Sequence, residues 1–112
     1  MYVFFSNSEH FSIAFLFSFV AADSNFILVN ARVVDYPIVY CNDGFIKMSG
    51  YSRVDTMQKA ATCSFMWGEL TNQETIKRIE AALEAQEQEQ FEILLHKKNS
   101  KWIIKFQVVR LC

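Results

Sequence analysis

Glycine and proline are scarce in this chain of 112 residues, at three and one, and no lysine or arginine precedes Arg32. Three scattered glycines leave no Gly-rich loop behind a strand, which removes the usual backbone cradle for a phosphate. Cysteine is limited to Cys41, Cys63 and Cys112. An odd count at irregular spacing is no disulfide framework and points to reduced thiols in the cytosol. There is no CxxC or HxxxH pair, and His10 and His96 lie far apart, so no metal site is expected. Positive charge is thin as well. With a formal net charge of -1 and no cluster of basic residues, the chain lacks the footprint that phosphate neutralisation requires, and nucleic acid is excluded as a partner. Asp43, Asp55 and Glu69 are dispersed and no triad stands out, so the chain does not read as an enzyme.

What remains is apolar and aromatic. Hydrophobic residues make up 52% of the chain and 11 are phenylalanine, enough for one core built from large rings. Six of those phenylalanines fall within residues 1–19. The run "FSIAFLFSFVAA" (11–22) is shorter than the roughly 20 apolar residues that span a bilayer. A signal peptide would need a positive start, and Glu9 and His10 stand there instead. Residues 1–22 are therefore an atypical hydrophobic segment, either a buried strand or a piece foreign to the domain at 23–112.

From Asn25 the pattern is orderly. "NFILVNARVVDYPIVYCN" reads as two strands joined near Val34-Asp35-Tyr36, with Pro37 opening an edge strand. Asn42 and Asp43 are expected to cap backbone amides, with Asp43 as helix N-cap, and Gly44 and Gly50 bracket a short helix. Cys41 then reads as a small residue at a strand end. Ser52 and Asp55 suggest a second short helix. The clearest helix is "TNQETIKRIEAALEAQEQ". Thr71 and Glu74 suit a capping box, Ile76, Ile79 and Leu83 share a face, and Glu74 and Arg78 stand at i, i+4. Its end is acidic, against the macrodipole, so it either frays or meets a basic partner. Two alternating strands follow: Phe91, Ile93 and Leu95 on one face, then Trp102, Ile104, Phe106 and Val108, joined by a turn at Lys98-Asn99-Ser100. The order predicts an α+β fold, an antiparallel sheet with short helices and one longer helix on one face.

The string "CNDGF…SGYSR…VDTMQK…TCSFM.GELT", with "NFILVNARVVDYPIVY" before it and "FEILLHKKN" after it, resembles the N-terminal PAS domain of ether-à-go-go (EAG) voltage-gated potassium channels. The resemblance runs from about Asp23 to Asn99. It implies a regulatory domain on the cytosolic face of a tetrameric plasma-membrane channel, with no membrane span of its own. The expected partner is the channel's cyclic-nucleotide-binding homology domain. Two departures stand out. The phenylalanine-rich start does not resemble the family's basic, amphipathic cap. The last strand of the family, central in its sheet, is missing or replaced. "SIAFLFSFV" (12–20) could fill that slot antiparallel to residues 26–31 across the short linker "AADSN".

Carried over residue by residue, the resemblance makes Phe26, Val39, Tyr40 and Met57 an exposed apolar patch and Arg53 a pairing arginine. Phe26 and Val39 read equally well as core, and Arg53 as a solvated charge. Cys63 falls near where flavin-binding light-sensing PAS domains carry their reactive cysteine, but Thr62, Ser64 and Trp67 are not their flavin-holding polar neighbours. No cofactor is expected, and Cys63 reads as a plain buried thiol. The alternatives are a PAS sensor that binds a small ligand or flavin and a PAS dimerisation module.

Overall fold

The computed structural model describes residues 1–6, 24–99 and 101–110. Among the described residues, five strands form one sheet: β1 (Tyr2–Ser6), β2 (Phe26–Asn30), β3 (Ile38–Cys41), β4 (Glu89–His96) and β5 (Lys101–Arg110), in the order β3-β2-β1-β5-β4. Three α-helices lie between β3 and β4, namely α1 (Asp43–Ser49), α2 (Arg53–Thr56) and α3 (Gln73–Ala85), with a 3₁₀ turn at Ser64–Met66. The α+β class and the helical insertion match the expectation from sequence.

The central slot is filled, though not as expected. The strand proposed at residues 12–20 lies outside the described residues, and so do Ser100 and Cys112. The slot holds Tyr2–Ser6, which run parallel to Phe26–Asn30 on one side and pair through Tyr2–Phe5 with Gln107–Arg110 on the other. Because β2 and β5 point the same way, an intervening strand must be parallel to both or antiparallel to both. It is parallel, so the sheet is mixed rather than wholly antiparallel. The short "AADSN" linker suits a hairpin, whereas parallel neighbours need a crossover of about a dozen residues or more. The stretch from 7 to 25 is long enough for that.

Period-2 alternation sorts the strands onto two faces. Val3 and Phe5, Ile27 and Val29, Phe91, Ile93 and Leu95, and Ile104, Phe106 and Val108 join the core under the helices. Phe4, Phe26 and Leu28 form a second buried cluster on the outer face, with Tyr2, Val39, Tyr40 and Val109 packed against it. From α3, Ile76, Ile79 and Leu83 point into the main core, as their spacing predicts. Phe5, Phe45, Phe91 and Phe106 are its largest fully buried rings, and each contributes on the order of 1.5–3 kcal/mol by leaving water.

The helix starts are displaced by one residue from their expected positions. Asn42, not Asp43, caps α1, and Asn72, not Thr71, caps α3. Thr71 is instead buried, accepting from Gly68 N at 2.9 Å and donating to Leu94 O at 2.7 Å, which ties the start of α3 to β4. Ser52 caps α2 as expected, accepting from Asp55 N. The acidic end of α3 does not fray: Gln86 closes it in the left-handed conformation, its N–H reaching Ala82 O and Leu83 O. Gln can adopt that conformation at modest cost, and the carbonyls it satisfies offset the missing basic residue. The expected Glu74–Arg78 pair is absent. Glu74 faces Lys77 at 3.7 Å and Arg78 reaches Glu89 at 3.0 Å, drawn to β4 by the Phe91 ring 5.0 Å beneath its guanidinium.

Candidate docking surface

The stretch from Tyr40 to Arg53 joins the sheet to the helices, and its geometry follows from one buried amide. Asn42 is 5% exposed. Its Oδ1 accepts from Phe45 N at 2.9 Å, capping α1, and from Phe26 N at 3.0 Å, at the start of β2. Its Nδ2 donates to Ser24 O. A single side chain therefore fixes the helix start against the first residues of β2. Gly44 is needed beside it, because a Cβ there would lie 2.6 Å from Ser24 O. Gly50 ends α1 at φ +79°, a left-handed conformation that favours glycine.

The strand ahead of this joint carries an irregularity. Cys41 lies opposite Ile27 and Tyr40 opposite Leu28, but Ile38 lies opposite Val29, so β3 holds one extra residue. Such a bulge interrupts alternation and re-aims side chains. Ile38 and Cys41 both face the main core, and Val39 and Tyr40 both face the outer cluster. A regular strand would have divided Val39 from Tyr40. The Tyr40 ring sits 5.9 Å from Phe26, which meets Phe4 edge-on at 5.7 Å, and Phe4 stacks on Tyr2 at 5.8 Å. The outer face thus carries an aromatic row across three strands.

Arg53, the first residue of α2, stands beside this row. It donates through Nε to Cys41 O at 3.3 Å and through Nη2 to the Asp43 carboxylate. About half of its side chain stays exposed, leaving donors free for an outside acid. The hydrogen bond and charge of Arg53 hold the Asp43 carboxyl below its usual value. A depressed folded-state value means that the pair is intact above the unfolded-state value and is lost as pH falls through the folded one, a window below about pH 4. Titration of Asp43 by NMR is expected to give a lower midpoint in the wild type than in Arg53→Ala. Equal midpoints would show that the pair does not form in solution.

The five residues carried over from the resemblance are thus distributed unevenly. Val39 and Tyr40 are half-buried on the outer face, with Arg53 exposed at their edge. Phe26 lies under them at 1% exposure, a core residue of the outer cluster. Met57 packs on the helix-side core, away from the row. Tyr2 and Val109 flank the same cluster and were missed. The alternation of "YVFFS" could have placed Tyr2, but Val109 depends on knowing which strand lies beside β5.

Cys63 is fully buried in a left-handed conformation at φ 56°, its thiol 3.5 Å from Ala61 O. Burial pushes that thiol up to about 12. Burial also raises Cys41, with Arg53 opposing the shift. Trp67 turns its Nε1–H inward to Thr62 O at 3.0 Å, a bond within the loop that carries Cys63. Thiolates, not thiols, are alkylated. Native protein at pH 8 is therefore expected to leave Cys41 and Cys63 unmodified by iodoacetamide while unfolded protein reacts at both. Rapid native labelling of Cys63 would contradict its burial. Among the described residues no group of three or more His, Cys, Asp or Glu could hold a metal, and no helix is long and apolar enough to cross a membrane.

Comparison with known proteins agrees with this architecture. Residues 23–110 match the family model of the PAS domain. Over 80 residues, 70% of this chain, it is 59% identical to the potassium voltage-gated channel protein eag of Drosophila melanogaster, of which it spans 7%. The crystal structure of the PAS domain from the fruit-fly ELK potassium channel superposes with a TM-score of 0.78 at 36% identity, covering 84% of this chain and 77% of that one. The LOV domain from the Erythrobacter litoralis EL346 blue-light activated histidine kinase superposes with a TM-score of 0.61 at 25% identity, over 66% of this chain and 67% of that one.

Proposed function

This chain belongs to the PAS domain family and is homologous to a segment of eag-type potassium channels, and from that membership we propose that it is the regulatory PAS domain of a voltage-gated potassium channel. In this reading it works at the cytosolic face of a tetrameric channel by docking its outer sheet face on the cyclic-nucleotide-binding homology domain. The observation that carries the proposal is the bulge in β3, which puts Val39 and Tyr40 together on the outer face with Arg53 at their edge. An aromatic anchor beside a partly free arginine is the usual make-up of an interface hot spot. Asp43 and Cys41 O fix the Arg53 head group, so less side-chain freedom is lost when an acid on the partner engages it.

Docking changes gating only if the domain binds the closed and open channel with different affinity, a coupling of typically 1–3 kcal/mol. In this reading Phe26 supports the surface from beneath, and Met57, on the helix side, takes no part in it. The test is calorimetric titration of this chain with a cyclic-nucleotide-binding homology domain from an eag-type channel, with sedimentation run alongside. The proposal expects a saturable one-to-one complex. Absence of binding, together with a stable homodimer of this chain, would replace it with a dimerisation role.

A further inference from the structure

On the helix side, away from the outer face, the β2–β3 loop and α3 enclose a cleft of about 620 Å³. Its apolar lining includes Val33, Val34, Trp67 and Leu83. Val33 and Val34 are 47% and 85% exposed, two of the four large hydrophobic residues left open to water among the described residues. They are held there by an ordered loop: Val33 N donates to Asn30 O, Tyr36 N to Val33 O, and Asp35 O accepts from Ala61 N. Adjacent exposed valines on a fixed loop are a fitting surface for an apolar partner.

The rim of the cleft is acidic. Asp35, Glu80 and Glu84 line it, and none of the three has an ion-pair partner among the described residues. The two basic residues of α3 are committed elsewhere, Lys77 to Glu74 and Arg78 to Glu89. Arg32 also lines the cleft and is itself engaged. Glu84 lies in the last turn of α3, which carries no basic residue, so the negative end of the helix adds to its field.

We propose that this cleft is a second docking site and that it takes a cationic amphipathic segment of a partner protein, apolar side chains over Val33, Val34 and Leu83 and Lys or Arg against Asp35, Glu80 and Glu84. The acidic rim repels nucleic acid and anionic lipid. A compact small molecule would fill the floor and leave the valines at the lip in water, whereas an extended or helical segment covers both. The site stands independently of the outer face and of the channel reading.

The test uses the whole chain, labelled with ¹⁵N. The probes are a short amidated peptide of alternating lysine and leucine pairs, its glutamate counterpart, and phosphatidylserine vesicles. The lysine peptide is expected to shift the amides of Val33, Val34, Glu80 and Glu84 saturably, and the glutamate peptide and vesicles to leave them in place. Both glutamates are exposed, so Glu80→Gln with Glu84→Gln keeps the fold. That variant is expected to weaken binding about five- to tenfold. The proposal is overturned if shifts spread equally to Glu74 and Glu89, if the double variant binds as tightly as wild type, or if vesicles move the cleft amides.

Discussion

Alanine at both Tyr40 and Arg53 is expected to weaken binding to a cyclic-nucleotide-binding homology domain by about 30- to 100-fold, the effect of losing roughly 2–3 kcal/mol of hot-spot energy. Tyr40 supplies a large ring braced by Phe26, and Arg53 supplies a charged fork already aimed by Asp43 and Cys41 O. Neither residue is fully buried, so the double variant should stay folded, with a thermal midpoint lowered by no more than about 8 °C. Phe26→Ala would not serve, since at 1% exposure it opens a cavity in the outer cluster and confounds binding with folding. Equal affinity of wild type and double variant would remove the proposed interface.

Asn42→Ala is expected to be the most destabilising change in the sheet-to-helix joint. It abolishes the α1 cap and leaves Phe26 N and Ser24 O without their partner. A lost cap costs about 1 kcal/mol and the buried Phe26 N left unpaired about 1–3 kcal/mol, while the part-buried Ser24 O turns to water, so a total on the order of 2–4 kcal/mol is expected. For a domain of this size that lowers the thermal midpoint by roughly 10–25 °C. Asn42→Asp keeps the acceptor for both amides and loses only the donation to Ser24 O, so it should fall between the two. Chemical denaturation of the three proteins measures this. A cost below about 0.5 kcal/mol for Asn42→Ala would show that the amide does not hold the joint.

Much of this architecture was legible in the residues. Ile76, Ile79 and Leu83 declared the buried face of α3, and Phe91, Ile93 and Leu95 that of β4, because periodicity reports burial directly. The caps were harder. Asn42 and Asp43, or Thr71 and Asn72, are neighbours with equal capping chemistry, and tertiary bonds to Ser24 and Leu94 decide between them. The slot strand was harder still. Tyr2–Ser6 and residues 12–20 are both short apolar runs, and nothing local states which pairs with β5. At the candidate surface, Tyr40 and Arg53 were found through the resemblance. Their neighbourhood depends on a bulge, which alternation in "IVYC" does not announce. Tyr2 and Val109 join them only because β1 occupies the centre of the sheet.

In the proposed function the outer sheet face, and not the helix side, meets the cyclic-nucleotide-binding homology domain. Amide shift mapping of this chain during titration with that domain tests it most directly. Perturbations are expected to concentrate at Tyr2, Val39, Tyr40, Arg53 and Val109, with Ile76, Ile79 and Leu83 unmoved. Perturbations centred on α3, with Val39 and Tyr40 unchanged, would contradict it.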